Sequence, residues 1–395
     1  MALRAPPWPQ IRMACPYCYE TFPRWRIQFR CSGRPSRMGE RCEVGPDAVY
    51  SARFGPGFQL PVFPARHVYT ADCPHCGSET TVRVCPSCHH RLPTYFGRVR
   101  SRLVALVGAR NSGKTVYLTV LMHELNNKAG ERLDCGLSPA DEETRRVFDG
   151  EYERRLYTDG NLHDPTRSVS AEQYGLRPPL VFTFATEGSG LRRSRKTLLS
   201  FFDTAGEDLI SQDSVELNAR YLRSADAVML VLDPLQMAGG RSRAGHDVLP
   251  PEGPAVDAPY AVLDKITDLL QDGRRAGKIR KPIGVAFSKI DVFWDGMKAD
   301  GALRQPEPDG EGADEHDGLD VHAQVAGLLH DWDGPRIDTY LRSNYRSYRY
   351  FGFSALGNHP VGDKVPHGGV QPYRVPDPFL WLLAQLGAVR TIRRR

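Results

Sequence analysis

The chain has 395 residues, 41% of them hydrophobic, which is enough for one large α/β core and a small additional module. Its net charge of +5 is too mild to indicate a nucleic acid or a membrane surface by itself. No run of about 18 apolar residues is present, so no segment is expected to span a bilayer. The first residues also lack the apolar core of a signal peptide, which predicts a reducing, cytoplasmic location.

Eight of the nine cysteines lie in the first 97 residues, and their spacing is typical of zinc ribbons. Cys73-Pro-His-Cys76 and Cys85-Pro-Ser-Cys88 are two Cys-x-x-Cys knuckles, and together they predict one tetrahedral Zn²⁺ site. Cys15-Pro-Tyr-Cys18 is a third knuckle, with Cys31 and Cys42 as its expected partners at a second site. The spacing also leaves open an exchanged pairing, with one knuckle from each half on each metal. Residues 1–97 are therefore expected to form a zinc-ribbon module.

Two other functions compete with zinc binding for these cysteines. A disulfide framework or a redox pair conflicts with the expected reducing compartment, and Cys135 is expected to be a lone thiol. Basic and aromatic residues alternate as in a nucleic-acid-binding face, at Arg24-Trp-Arg26, Phe29-Arg30, Arg98, Arg100 and Arg102. The alternative is a module that docks on protein, and the even spread of positive charge along the chain favours it.

A phosphate-binding loop follows the apolar run Leu103–Val107. Its sequence, Gly108-Ala-Arg-Asn-Ser-Gly-Lys-Thr115, fits the Walker A pattern. The two glycines allow backbone N–H groups to point at a polyphosphate at the N-terminus of the next helix. Lys114 would reach the β- and γ-phosphates, and Thr115 would bind Mg²⁺. The predicted nucleotide-binding residues of this loop are Gly108, Asn111, Ser112, Gly113, Lys114 and Thr115.

Later apolar strands end in polar motifs that belong to the same site. Lys196–Phe202 leads to Asp203-Thr-Ala-Gly206, where the carboxylate can hold Mg²⁺ through water and the glycine N–H can sense a γ-phosphate. After the strand Ala227–Leu232, the strand Pro282–Phe287 ends in Ser288-Lys-Ile-Asp291. Asp291 can accept two hydrogen bonds from guanine, while the stem of Lys289 lies along the purine. Tyr348–Phe353 then leads to Ser354 and Ala355, whose N–H groups are expected to face the guanine oxygen.

These motifs, in this order, resemble the P-loop GTPases of the translation-factor and Ras-like class. The resemblance implies an α/β fold with a mostly parallel sheet and helices on both faces, over residues 98–395. It implies binding of GTP or GDP with Mg²⁺ at Thr115 and Asp203. The base-reading roles fall to Ser288, Lys289, Asp291, Ser354 and Ala355. The catalytic roles fall to Lys114, Thr166, Gly206 and Glu207.

Several positions depart from this family. Ser288 stands where Asn is usual, which weakens the preference for guanine. Thr166 is the candidate for the first switch threonine, and a surface-loop threonine is the alternative. Glu207 replaces the glutamine that orients the attacking water, so unaided hydrolysis should be slow. Asn111 resembles the asparagine that binds a catalytic K⁺ in a subset of the class, although it could also simply suit the loop geometry.

Two polar segments, residues 237–259 and 300–320, are expected to be insertions outside the core, the second an acidic solvated loop. Apolar stripes predict helices around Val215–Arg223 and Pro378–Leu386. With its zinc knuckles, the chain also resembles the bacterial double-GTPase proteins. That resemblance implies a regulatory switch that works with a second GTPase or another protein effector in conflict or defence systems. The alternatives are a GTP-binding scaffold that does not hydrolyse, and a zinc-ribbon nucleic-acid-binding protein with an accessory NTPase domain.

Overall fold

The structure is a computed structural model, and it describes residues 12–36, 39–65, 69–163, 179–186, 195–202, 215–244, 258–271, 277–308, 312–333 and 335–393. The described residues up to Ser101 form one compact unit, and those from Arg102 onward form another. None of the helices in these ranges is long and apolar enough to cross a membrane.

The N-terminal unit consists of short strands and helix α1 (Ala48–Phe54). Its strands are β1 (Arg12–Ala14), β2 (Thr21–Pro23), β3 (Gln28–Arg30), β4 (Gly45–Pro46), β5 (Phe58–Gln59), β6 (Val62–Pro64), β7 (Ala71–Asp72), β8 (Glu79–Thr80) and β9 (Arg83–Val84). β3 is the central strand of an antiparallel sheet in the order β6–β3–β9. Asp47 begins α1 by accepting hydrogen bonds from the N–H groups of Val49 and Tyr50, which satisfies two donors of the first turn.

The second unit contains a seven-stranded, mostly parallel sheet. Its strands are β10 (Arg100–Gly108), β11 (Cys135–Pro139), β12 (Leu180–Thr186), β13 (Arg195–Phe201), β14 (Ala227–Leu232), β15 (Ile283–Phe287) and β17 (Tyr348–Gly352), in the spatial order β11–β12–β13–β10–β14–β15–β17. β10, β14, β15 and β17 pair in parallel, whereas β11 and β12 pair antiparallel, as do β12 and β13. A two-residue parallel pair, β16 (Ala313–Asp314) with β18 (Thr391–Ile392), lies apart from this sheet.

Helices cover this sheet. They are α2 (Lys114–Asn126), α3 (Lys128–Leu133), α4 (Glu142–Val147), a π-helix (Phe148–Thr158), α5 (Val215–Ser224), α6 (Ala238–Arg243), α7 (Ala258–Gln271), α8 (Glu315–Asp333), α9 (Arg336–Asn344) and α10 (Pro376–Gln385). On one face, Leu106 and Met229 join the core that includes α2 and α10. On the other, Phe287 packs against Trp332 of α8. Because both faces are buried, the central strands are continuous apolar runs.

The predicted fold class is confirmed, as are the predicted strands and both predicted helices. The expectation for the two polar segments was wrong in part. Met237 is buried, and Gly239 approaches helix α8 so closely that a Cβ would lie 2.5 Å from the carbonyl oxygen of Asp331. In the acidic segment Leu303 is fully buried. Three of its carboxylates pair with arginines: Glu307 with Arg132, Glu315 with Arg349 and Asp317 with Arg374. Asp309 and Glu311 of this segment, and residues 245–257 of the other, lie outside the described residues.

Candidate nucleotide-binding and metal sites

The phosphate-binding loop connects β10 to α2. A Cβ on Gly108 would lie 2.2 Å from the carbonyl oxygen of Val231 in the neighbouring strand, so only glycine fits there. Gly113 caps α2 with φ of +86°, and Asn111 has φ of +60°, a region that asparagine tolerates better than most residues. These constraints give the loop a fixed shape at the positive end of a 13-residue helix.

Two side chains of the loop are poised for an anion. Lys114 is buried, and its Nζ donates to the carbonyl oxygens of Gly108 and Ala109 at 3.0 and 2.9 Å. Ser112 is completely buried, and no described residue offers its hydroxyl a hydrogen-bond partner. An unpaired buried hydroxyl costs about 1–3 kcal/mol, which a bound oxygen ligand would recover. The loop therefore fits a phosphate group.

The base-reading segment lies beside this loop. Lys289 follows β15 with φ of +55°, and its Nζ donates to the carbonyl oxygen of Asn111 at 3.3 Å. The same Nζ lies 2.6 Å from Oδ2 of Asp233, a fully buried carboxylate at the end of β14. Ser288 is also buried, and its hydroxyl donates to the carbonyl oxygen of Leu232. Ser288 therefore ties its segment to the adjacent strand.

One predicted role is corrected by the geometry. The N–H of Ser354 was expected to face the guanine oxygen, but it donates to the carbonyl oxygen of Tyr373 at 3.0 Å. The hydroxyl of Ser354 accepts from the N–H of Gly357 at 2.9 Å. Ser354 therefore shapes the loop, and Ala355 is the predicted base-reading residue that remains at this position.

A cavity of about 290 Å³ brings these motifs together. From the predicted set it is lined by Asn111, Gly113, Lys114, Thr115, Ser288, Lys289, Asp291, Ser354 and Ala355. The sequence did not predict its other walls, which are Val116, Leu162, His163, Leu235, Val292, Phe353, Leu356, Asn358, His359 and Pro360. Apolar walls with a few convergent polar groups are typical of a small-molecule site.

Two supporting residues were also missed, and both follow strand β14. Asp233 holds Lys289 and also accepts from the N–H of Leu235. Gln236 donates from Nε2 to the carbonyl oxygen of Arg110 at 2.7 Å. The signal that could have found them is their place directly after a buried parallel strand, the edge of the sheet where α/β proteins bind ligands.

His163 lies next to the expected Mg²⁺ ligand Thr115. The hydroxyl of Thr119 donates to the carbonyl oxygen of Thr115 at 2.8 Å, so it must accept from Nε2–H of His163, 3.0 Å away. This bond fixes the ring beside the start of α2. The predicted residues Thr166, Asp203, Gly206 and Glu207 lie outside the described residues, and their roles stay predictions.

The N-terminal cysteines form two clusters, and the leading prediction for their pairing was wrong. Cys15 and Cys18 lie with Cys85 and Cys88, while Cys31 and Cys42 lie with Cys73 and Cys76. The first cysteine pair along the chain thus shares a cluster with the fourth, and the second pair shares a cluster with the third. This is the exchanged pairing that the spacing left open. The reason is tertiary: β3 and β9 pair antiparallel, so Cys31, which follows β3, and Cys85, which follows β9, lie at opposite ends of the pair and in different clusters.

Both clusters fit a tetrahedral zinc ion. The Sγ–Sγ distances are 3.9 and 3.8 Å in the first cluster and 3.7 Å for two pairs in the second. Four thiolates at about 2.3 Å from Zn²⁺ would be separated by about 3.8 Å. Backbone N–H groups of Tyr17, Gly33 and Ser87 lie 3.4 Å from Sγ of the preceding knuckle cysteines, as the second shell of such sites requires. The two clusters could therefore bind zinc.

The ninth cysteine lies far along the chain from these clusters. Cys135 begins β11 and is partly buried, and burial raises the pKa of its thiol to about 11. It is therefore expected to be unreactive.

Comparison with known proteins adds three findings. A family model described as Double-GTPase 2 matches residues 102–325, more than half of the chain. A Mycolicibacterium smegmatis protein named as an ESX-1 scaffolding and assembly protein, SaeC, is 28% identical over 402 residues, covering 95% of this chain and 99% of that protein.

Similar solved structures include two GTPase domains. The GTP-bound Ski7 GTPase-like domain of S. cerevisiae is 12% identical with a TM-score of 0.31, and the match covers 73% of this chain and only 50% of that one. The small GTPase Arl6 from Trypanosoma brucei is 13% identical with a TM-score of 0.28, covering 73% of this chain and 97% of that one.

Proposed function

We propose that this chain, which belongs to the Double-GTPase 2 family, is a slow, Mg²⁺-dependent GTPase that acts as a regulatory switch. The family confirms the predicted relationship to P-loop GTPases and to double-GTPase proteins. The observation that carries the proposal is a cavity lined both by Lys114 and Thr115 of the phosphate loop and by Lys289 and Asp291 of the base-reading segment. The cavity lining includes residues that follow four strands, β10, β14, β15 and β17, at the edge of the sheet where α/β proteins bind ligands.

Guanine recognition would depend on Asp291. Its carboxylate can accept hydrogen bonds from N1–H and the 2-amino group of guanine, while Lys289 is held beside the purine by Asp233. Adenine offers no matching pair of donors, so a carboxylate facing it would lose its partners. Lys114 would exchange its loop carbonyls for the phosphates, and Ser112 would gain an acceptor.

The reaction is attack of water on the γ-phosphorus of GTP, which releases phosphate and GDP. Thr115 and Asp203 would hold Mg²⁺, which neutralises charge on the β- and γ-phosphates. We expect a low rate because Glu207 stands where a water-orienting glutamine is usual. Asn111 stands where a subset of the class binds K⁺, although its φ of +60° also fits the alternative, an asparagine that suits the loop geometry. If Asn111 holds a K⁺ ion that neutralises charge on the transferring phosphate, turnover is faster in K⁺ than in Na⁺.

A switch needs a partner, and here the partner would be a protein. The relative named for scaffolding and assembly supports an effector, and the family name supports a second GTPase. The two cysteine clusters would each hold one structural Zn²⁺ and keep the N-terminal unit folded, with the thiols reduced in the cytoplasm.

Exchanging a hydrogen-bond acceptor for a donor at the base edge tests the proposal. Asp291→Asn offers a donor where guanine has its 2-amino group, so affinity should move from GTP to XTP, whose purine carries a carbonyl there. Calorimetric titration with GTP, XTP and ATP should show at least a tenfold shift in the GTP/XTP ratio. Lys114→Ala removes the lysine that would contact the phosphates, so it should weaken the binding of GTP, XTP and ATP alike. An unchanged ratio, or equal affinity of the native chain for ATP, would refute guanine recognition.

A non-hydrolysing scaffold is the second candidate, favoured by the named role of the relative and by Glu207. The two functions separate in a phosphate-release assay. Single-turnover release of phosphate from bound GTP that is absent in Lys114→Ala indicates a GTPase. Tight GTP binding with no release over many hours, in K⁺ and with Mg²⁺, indicates the scaffold.

A further inference from the structure

Three arginines of the N-terminal unit converge on one tyrosine. The guanidinium carbon of Arg98 lies 4.0 Å from the ring centroid of Tyr69, and those of Arg24 and Arg83 lie 5.1 and 5.9 Å from it. Arg24 also donates to the hydroxyl of Tyr69. Three positive charges thus surround one ring, although the residues involved are up to 74 positions apart in the sequence.

The three arginines do different work. Arg83 is buried, and its guanidinium donates to the carbonyl oxygens of Phe96, Pro93 and Thr94, so it holds the turn before Arg98. Arg98 is exposed. Arg24 is half-buried, and its Nε has no hydrogen-bond partner among the described residues. Arg98 therefore presents guanidinium donors at the surface, and Arg24 adds a second positive charge beside them.

No carboxylate balances this charge in the part of the chain that is described. The ion pairs of the N-terminal unit there join Asp47 to Arg30 and to His89, and none includes Arg24, Arg83 or Arg98. Like charges within a few ångströms repel, and carbonyl and ring contacts offset only part of that repulsion. An oxyanion between the two outer guanidinium groups would relieve it and make charge-assisted hydrogen bonds.

Exposed aromatic surface accompanies the charge. Tyr69 and Tyr95 are each 39% exposed. Tyr95 lies close to Arg98 in the chain, and its carbonyl oxygen accepts from the N–H of Arg98. Bases of unpaired nucleotides stack on aromatic rings and on guanidinium planes, while their phosphates pair with arginine. A carboxylate-rich peptide would use the charge but not the stacking surfaces, so the combination favours nucleic acid.

We propose that Arg24, Arg98, Tyr69 and Tyr95 bind single-stranded nucleic acid, with a backbone phosphate between the two arginines and a base on an exposed ring. None of these four residues lines the nucleotide cavity. This site gives a binding function to basic and aromatic residues around Arg24 and Arg98, which have no role in the proposed GTPase activity.

The test measures fluorescence anisotropy of labelled 12-nucleotide RNA and DNA strands with the zinc-loaded full chain, in excess GDP so that the nucleotide cavity is filled. Binding should be saturable at low salt and should weaken steeply as salt rises. Arg98→Ala should reduce affinity about tenfold and lower the salt slope by about 0.7, the value of one lost phosphate contact on a single strand. Tyr95→Ala should reduce affinity while leaving the salt slope unchanged.

Arg100→Ala is the matched control, because Arg100 is exposed on the same segment and belongs to no cation–π contact described here. Equal zinc content and unfolding temperature in the two arginine variants would show that both are folded. The proposal is overturned if neither strand binds at low salt, or if Arg98→Ala and Arg100→Ala weaken binding equally. It is also overturned if a polyglutamate peptide competes as well as the unlabelled strand, since the site would then recognise acidic protein.

Discussion

Lys289 Nζ lies 2.6 Å from Asp233 Oδ2, and this ion pair joins the base-reading segment to the end of strand β14. Asp233 is fully buried, whereas the Lys289 side chain is 38% exposed, so the carboxylate depends on the lysine for its charge partner. The lysine in turn reaches the carbonyl oxygen of Asn111 in the phosphate loop. One side chain thus connects the two halves of the nucleotide site.

Asp233→Asn should lower the affinity for GDP and GTP about tenfold. The amide keeps the hydrogen bond from Leu235 N–H but no longer holds the lysine by charge, so Lys289 loses its fixed position beside the purine. Calorimetric titration measures the change. Asp226→Asn is the control: Asp226 precedes the same strand and pairs with Arg102 at 2.8 Å, at the opposite end of β14 from the cavity. Equal losses in the two variants would contradict the role given to Asp233.

Gly108→Ala should destabilise the second unit and abolish nucleotide binding. The added Cβ would meet the carbonyl oxygen of Val231 at 2.2 Å and the hydroxyl of Ser112 at 2.8 Å, and the backbone must move to relieve this. We expect a loss of about 1–3 kcal/mol in the free energy of unfolding, measured by urea denaturation. Gly136→Ala, where no atom lies within 4 Å of the added methyl, should be close to neutral. A nucleotide-binding Gly108→Ala chain of native stability would show that the loop differs from the described geometry.

The central strands and the phosphate loop could be predicted because local sequence determines them. Ala227–Leu232 and Ile283–Phe287 are continuous apolar runs, the pattern typical of strands that are buried on both faces. The edge strand Cys135–Pro139 was missed because Gly136, Ser138 and Pro139 weaken its pattern. The π-helix Phe148–Thr158 has no sequence signal of its own, since it differs from an α-helix only in that its hydrogen bonds span five residues instead of four.

The supporting contacts of the site could not be predicted because they join distant parts of the chain. Asp233 and Lys289 are 56 positions apart, and their pairing follows from the order of strands in the sheet. The same reason applies to the acidic segment: Glu315 meets Arg349 only because helix α8 packs beside strand β17. The charge composition of this segment predicted a solvated loop, but Asp317 pairs with the buried arginine Arg374.

Stability of the second unit should fall as pH drops below about 6.5, because His322 is neutral in the folded chain. Burial, and then the charge of Arg349, lower the pKa of His322 below its ordinary value of about 6.5. Its Nδ1 accepts from the N–H of Tyr350 at 3.0 Å, and a proton there would break that bond. Since the folded pKa is the lower one, the stabilisation is present above about 6.5 and is lost as pH falls through the folded value.

Thermal unfolding between pH 7.5 and 5.5 measures this effect. His322→Asn keeps an acceptor near Nδ1 and does not titrate, so its unfolding temperature should fall by about 2–4 °C less over this range than that of the native chain. His316→Asn is the control, because the His316 side chain is 74% exposed and pairs with Asp320 within helix α8. Parallel pH profiles for His322→Asn and the native chain would exclude His322 as the titrating group.

Two double variants distinguish the nested cysteine pairing from the sequential one, because the two arrangements predict opposite zinc contents. In the structure Cys15 and Cys88 belong to one cluster, whereas Cys73 and Cys88 belong to different clusters. Cys15→Ser/Cys88→Ser should therefore retain one Zn²⁺ per chain after dialysis against a mild chelator, and Cys73→Ser/Cys88→Ser should retain none. Sequential pairing would reverse this order. Because each zinc site contributes folding free energy, thermal unfolding of the N-terminal unit should follow the same order, with Cys135→Ser as the control that keeps two Zn²⁺.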